Sequence, residues 1–215
     1  MSLRTILWDV DTQVDFVHAD GKLAVPGAED AVPAMLALVE GARAAGIPHV
    51  ASADDHELTD PEISDQPDFE TTYPPHCLRG TRGARKIDET EQDDPVPIGL
   101  GPLPRPFLRG REFLLLKKHF DVFTNPNTEQ LLALLDPDEV IVFGVATDVC
   151  DDAAIRGLLT RGRHVLFVED ASRGLDEARV KRCEAVWRQG GVEFVAVDEA
   201  VRRLSSNAQP LPMSA

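Results

Sequence analysis

Cys150 stands among acids in the stretch FGVATDVCDDAA, with Asp148 two residues before it and Asp151 and Asp152 directly after. A thiol attacks a carbonyl only as thiolate, and three devices favour that form: a helix amino terminus, a nearby cation, and a base that removes the proton. The sequence offers all three. Apolar spacing predicts a helix from about residue 148 to residue 161, which puts Cys150 in its first turn. The apolar run EFLLLK ends in Lys117 and is followed by Lys118, and the run LRTILWDV is followed by Asp11. This arrangement favours Cys150 as nucleophile, Asp11 as base and one of the two lysines as charge partner. Each has a plainer alternative. Free cysteines are usually packed, Asp9 and Asp15 compete with Asp11, and a Lys-Lys pair is usually solvated. Cys183 takes the packed reading, because it shares a helical stripe with Val180 and Trp187.

A second group of polar residues begins at residue 54. Asp54 and His56 are two apart, so an extended segment turns both to one side. With Glu62 and His76 they make a mixed nitrogen and oxygen set that suits Zn, Fe(II) or Mn. Asp55, Asp60 and Asp65 are close enough in sequence to serve instead.

The elements that must position these residues alternate in type. Strands are expected at LRTILWDV, IPHVASA, EFLLLK, EVIVFGV, HVLFVED and VEFVAV, with helices between them, the first stopped by Gly46. Such alternation predicts an α/β fold with a mostly parallel six-stranded sheet and helices on both faces. Ligands then gather at the carboxyl ends of the strands, where Asp11, the segment from Asp54 to His56, Lys117 and Lys118, and the segment from Ala146 to Cys150 all fall. Residues 54–110 carry more than half of the prolines and read as a long pocket-shaping insertion. One domain, residues 1–204, accounts for the pattern, and residues 205–215 read as a loose or disordered tail.

The net charge of −15 over 215 residues argues against a nucleic-acid or anionic-membrane partner and for a small molecule. Three cysteines, an odd number, read as reduced thiols. The opening residues lack a signal-peptide core, and no apolar stretch is long enough to span a bilayer, so a soluble cytoplasmic protein is expected.

Five stretches in one order resemble the motifs of the nicotinamidase and isochorismatase-like cysteine hydrolase family. They are DTQVDF (11–16), DDHELTDPE (54–62), YPPHCLRGTRGA (73–84), KKHFDVF (117–123) and GVATDVC (144–150). The likeness implies a three-layer α/β/α sandwich and a triad of Cys150, Asp11 and a lysine, matched best at Lys117 with Lys118 as fallback. It implies a cis peptide before Ala146, with an oxyanion hole from the backbone N–H groups of Ala146 and Cys150. It also implies a divalent metal on Asp54, His56, Glu62 and His76, although one well-known branch has histidine where this chain has Glu62. Nicotinamidases often have tryptophan at the position of Tyr73; Tyr73 and Phe16 are still able to sandwich a flat ring. The implied reaction is hydrolysis of a small amide, nicotinamide first, with ureido or carbamoyl compounds as alternatives and an idle binding protein as the remaining one. The resemblance is also compatible with a homo-oligomer.

Overall fold

The computed structural model describes residues 3–103 and 111–208. Its centre is a sheet of seven parallel strands: β1 Thr5–Val10, β2 His49–Asp54, β3 Val96–Ile98, β4 Glu112–Lys117, β5 Glu139–Val145, β6 His164–Arg173 and β7 Glu193–Val195. They lie in the order β3-β4-β2-β1-β5-β6-β7. The helices are α1 Val14–Val17, α2 Ala28–Ala45, α3 Thr128–Leu135, α4 Cys150–Thr160, α5 Glu177–Gln189 and α6 Val197–Ser206.

Strands β1, β2 and β5 are buried at every position, as near-continuous apolar runs require when helices cover both faces. In one helical layer α2 packs on α6 and over β6; the other carries α4 on β5, with α5 beside it. Trp187 is the only residue of α5 that is buried, and its ring meets Phe167 of β6 edge-on at 4.9 Å. Gly46 closes α2 in the left-handed region (φ 66°), its N–H donating to Ala42 O and Arg43 O.

Two expectations need correction. The sheet has seven strands, not six, because Val96–Ile98 within the insertion pairs with the outer edge of β4. Its sequence, PVPIG, hides it: a strand carrying Pro97 is tolerated only at an edge, where one row of donors is not needed. Residues 205–207 also belong to the fold and not to a loose tail. Helix α6 runs through Ser206, and Asn207 is buried with its side-chain amide donating to Thr5 Oγ1 (3.0 Å) and Glu139 Oε1 (3.3 Å). Residues 209–215 of the expected tail, and 104–110 of the insertion, lie outside the described residues.

The chain leaves β1 for β2 on one side and later returns to pair β5 on the other. Brought together at that reversal, the carboxyl ends of β1, β2, β4 and β5 form the crevice where open parallel sheets bind ligands. No helix among the described residues is long and apolar enough to cross a membrane. Cys77, Cys150 and Cys183 are all free thiols.

Candidate active site

Lys117 is the hub of the crevice. Strand β4 alternates half-buried and buried residues, and that alternation turns Phe113, Leu115 and Lys117 inward. The Lys117 ammonium, fully buried, lies 2.9 Å from Asp11 Oδ2 and 2.5 Å from Asp54 Oδ1, and 3.9 Å from Cys150 Sγ. Lys118 continues past the strand and turns away, to Asp60 Oδ2 at 3.0 Å. The two adjacent lysines therefore have different partners, and only Lys117 reaches the thiol.

Asp11 follows β1 with φ at 50°, a left-handed turn that aspartate tolerates better than most residues. Ser52 Oγ donates to its Oδ1 at 2.7 Å. Cys150 is the first residue of α4, so the helix dipole favours negative charge on its sulfur. The Val145–Ala146 peptide before that turn is cis. Gly144 (φ 141°) permits the close approach of β5 to β1, since a Cβ there would fall 2.1 Å from Val10 O. Asp9 and Asp15, the rivals to Asp11, are engaged elsewhere. Asp9 pairs with Lys86 at 2.9 Å, and Asp15 accepts from the backbone N–H of Cys77 (2.7 Å) and Lys22 (3.1 Å).

Of the four polar residues Asp54 ends β2, and short bridges rather than a free loop hold the segment that carries the other three. His56 pairs with Leu78 and Ile63 with Tyr73, each a single parallel bridge. The first bridge holds His56 near His76, whose rings are 4.8 Å apart; the second lines up Glu62 with Tyr73. Gln13 clamps the Asp54 backbone, accepting from its N–H at 2.7 Å and donating to its carbonyl at 2.8 Å. One ligand atom from each of Asp54, His56, Glu62 and His76 lies within 4.8 Å of the others, and all four residues are buried. His56 Nε2 is 3.6 Å from Asp54 Oδ1 and 3.7 Å from Glu62 Oε1, and His76 Nε2 is 3.4 Å from Asp54 Oδ2. His56 Nε2 and Asp54 Oδ2 are buried with no hydrogen-bond partner. Orphaned buried lone pairs are costly, and two imidazoles with two carboxylates match a divalent cation in donor type and charge. Those residues fit a divalent metal. Of the possible substitutes, Asp55 pairs with Arg79, Asp60 lies against Lys118 and the far ring nitrogen of His56, and Asp65 is exposed.

An isochorismatase domain is matched over residues 5–98 and 100–199. The chain belongs to the nicotinamidase/isochorismatase-like family. Within it, this member is 32% identical over 161 residues to a nicotinamidase/pyrazinamidase of Mycobacterium tuberculosis, covering 71% of this chain and 80% of the relative. A structure of an N-carbamoylsarcosine amidase from Thermoplasma acidophilum matches with TM-score 0.70 and 25% identity over 90% of this chain and 96% of the other. The pyrazinamidase of Pyrococcus horikoshii in complex with zinc shares the fold, with TM-score 0.70 and 22% identity over 90% and 99%.

The crevice is lined by the apolar and aromatic side chains of Phe16, Leu23, Tyr73, Phe120 and Leu175 together with Cys150, Ala146, Asp54, Glu62 and His76. Phe16 and Tyr73 both face His76, at ring distances of 5.2 and 6.2 Å. The Tyr73 hydroxyl is buried without a hydrogen-bond partner, and burial, then the nearby Cys150, push its pKa up to about 12. Burial pushes the Cys150 thiol well above the ordinary range, with Lys117 opposing. Burial also raises Asp11; Lys117 pulls it down and Asp54 pushes it back up. Burial works against charge on Asp54 too, but Lys117 and then the two histidines hold it well below the usual carboxylate range. For Lys117, burial is outweighed by Asp11 and Asp54, which keep the ammonium charged. Burial at this position therefore favours the neutral thiol over the thiolate.

Three contributors carried no signal strong enough to assign from sequence. Ser52 looks like any strand serine, and Phe120, whose N–H donates to Glu62 Oε2 at 2.7 Å, lies in a loop. Gln13 sits in the middle of DTQVDF; its position between two acids was the only available cue.

Proposed function

We propose that the protein hydrolyses a small amide through a thioester on Cys150, with nicotinamide as the first substrate, giving nicotinate and ammonia. Membership of its family makes it an amidohydrolase in class. The observation that carries the cysteine route is the single ammonium of Lys117, in contact with Asp11 and Asp54 and within 3.9 Å of the Cys150 sulfur.

In this reading Asp11 takes the Cys150 proton while Lys117 holds the developing anion, and the sulfur attacks the amide carbon. A C–S bond forms, and the oxyanion is met by the backbone N–H groups of Ala146 and Cys150. Asp11 returns the proton to the leaving nitrogen, the C–N bond breaks and ammonia departs. Asp11 then deprotonates a water that attacks the thioester; the C–S bond breaks, the proton restores the thiol, and the product leaves as the carboxylic acid, which ionises to the carboxylate by giving its remaining proton to solvent or ammonia. Phe16 and Tyr73 hold the flat ring between them. Asp54, His56, Glu62 and His76 would hold a divalent metal (Zn, Fe or Mn), which supplies a Lewis-acidic contact that orients the substrate.

The similarity to an N-carbamoylsarcosine amidase favours a second substrate class, carbamoyl or ureido compounds, with the same triad. Ammonia release from a panel of small amides, with metal content determined on the same preparation, decides between them. Turnover of nicotinamide supports the first reading. Turnover of a ureido compound alone moves the substrate, and no turnover of any amide by metal-loaded protein removes the proposal.

A further inference from the structure

The metal reading of Asp54, His56, Glu62 and His76, on which this inference rests, leaves the second ring nitrogen of each histidine to be explained. The two are held differently. His76 Nδ1 lies 2.7 Å from the carbonyl of Pro74, a neutral acceptor. His56 Nδ1 lies 3.3 Å from Asp60 Oδ2, an anionic one. That same carboxylate oxygen accepts from the backbone N–H of Glu57 at 2.8 Å and lies 3.0 Å from Lys118 Nζ. Lys118 also donates to the carbonyl of Asp55, next to Asp54. Asp60 thus sits behind the imidazole, on the side away from Asp54 and Glu62.

We propose that Asp60 is a positioning residue for the metal site, with Lys118 as its counterweight. Accepting from Nδ1–H fixes the tautomer of His56 that presents a lone pair at Nε2, and a carboxylate behind an imidazole makes that lone pair a stronger donor. The Lys118 ammonium withdraws part of the negative charge and so moderates the grip of a site that already holds two carboxylates. Glu57 N–H and Lys118 together fix Asp60 in place, which accounts for the outward turn of the second lysine.

The test is the Zn²⁺ affinity of metal-stripped full-length protein, read by competition with a chromophoric chelator and independent of any substrate. Asp60→Asn keeps the shape and should weaken Zn²⁺ binding about 10- to 100-fold, with little change in melting of the metal-free protein. Lys118→Gln keeps a donor for the Asp55 carbonyl, loses the charge and should strengthen binding several-fold. The opposite signs separate charge tuning from damage to the loop. Weaker binding in both variants, or no change in either one, overturns the proposal while a large loss in Glu62→Gln leaves the metal site standing. Unaltered binding in Asp60→Asn, Glu62→Gln and His76→Ala alike brings down the metal reading itself.

Discussion

Strand β1 delivers two buried aspartate–lysine pairs, two residues apart, and they are built to different ends. Asp9 is saturated: Lys86 sits 2.9 Å from Oδ1, Thr12 donates to both carboxylate oxygens at 2.9 and 3.1 Å, and His49 Nε2 is 3.6 Å from Oδ2. Asp11 is not, since its Oδ2 has the Lys117 ammonium for company and no hydrogen-bond partner of good geometry. The electrostatics diverge accordingly. Burial opposes charge on both, but Lys86 and His49 overcome it and hold Asp9 below the usual range, whereas Asp11 stays above it because burial, reinforced by the Asp54 charge, outweighs Lys117. A buried ion pair by itself indicates nothing about catalysis. What marks Asp11 is an unfilled oxygen beside a shared cation that also reaches a thiol.

That contrast breaks if the two aspartates behave alike. Asp11→Asn should lower kcat for the best amide substrate by roughly 10³-fold, within the span expected of a lost acid/base group, and leave melting little changed. Asp9→Asn should do the reverse. It strands the Lys86 charge in the interior, a loss of about 3 kcal/mol or more, which at this chain length lowers the melting temperature by about 6 °C or more, with kcat kept within a few-fold. Equal kinetic losses, or a stable Asp9→Asn protein, would erase the distinction. Because the folded pKa of Asp9 is depressed, its stabilising share is present above the unfolded carboxylate pKa and is lost in acid as pH falls through the folded value.

A third buried aspartate differs from both. Asp151, in the first turn of α4, is fully buried, and neither oxygen has a hydrogen-bond partner. Burial and then the Asp11 charge push it well above the ordinary range. With a raised folded pKa the sign reverses: the folded state keeps a proton that the unfolded chain releases near pH 4, so stability declines as pH rises from there. Asp151→Asn should therefore raise the melting temperature at neutral pH by about 2–4 °C, equivalent to about 1 kcal/mol, and by less at pH 5. A gain that does not grow with pH would show that Asp151 is not held protonated.

The regular half of the molecule was legible because its periodicity carries the information. The apolar runs before Asp11 and Ala146 announce strand ends at which a ligand site belongs, whereas the choice of Lys117 over Lys118 came from the motif resemblance, and the burial alternation of β4 that turns Lys117 inward is seen only in the structure. The insertion follows no period. Its order comes from single bridges, His56 with Leu78 and Ile63 with Tyr73, and from the Gln13 clamp across 41 residues of sequence. Such contacts are made between distant segments, so no local pattern announces them. Of the ligand set the residues alone gave types and the spacing of Asp54 and His56, and the resemblance supplied the rest; Asp60 was readable only as one acid among several, and β3, which carries Pro97, not at all.

The proposed reaction requires a covalent bond to one sulfur, and acid-quenched turnover followed by peptide mass spectrometry reads it directly. With nicotinamide or the amide that proves to be the better substrate, the peptide containing Cys150 should gain the mass of one acyl group, and Cys150→Ala should show neither the adduct nor ammonia release while binding metal normally. Normal turnover by Cys150→Ala that a chelator abolishes would contradict the claim and assign the chemistry to a metal-bound nucleophile instead.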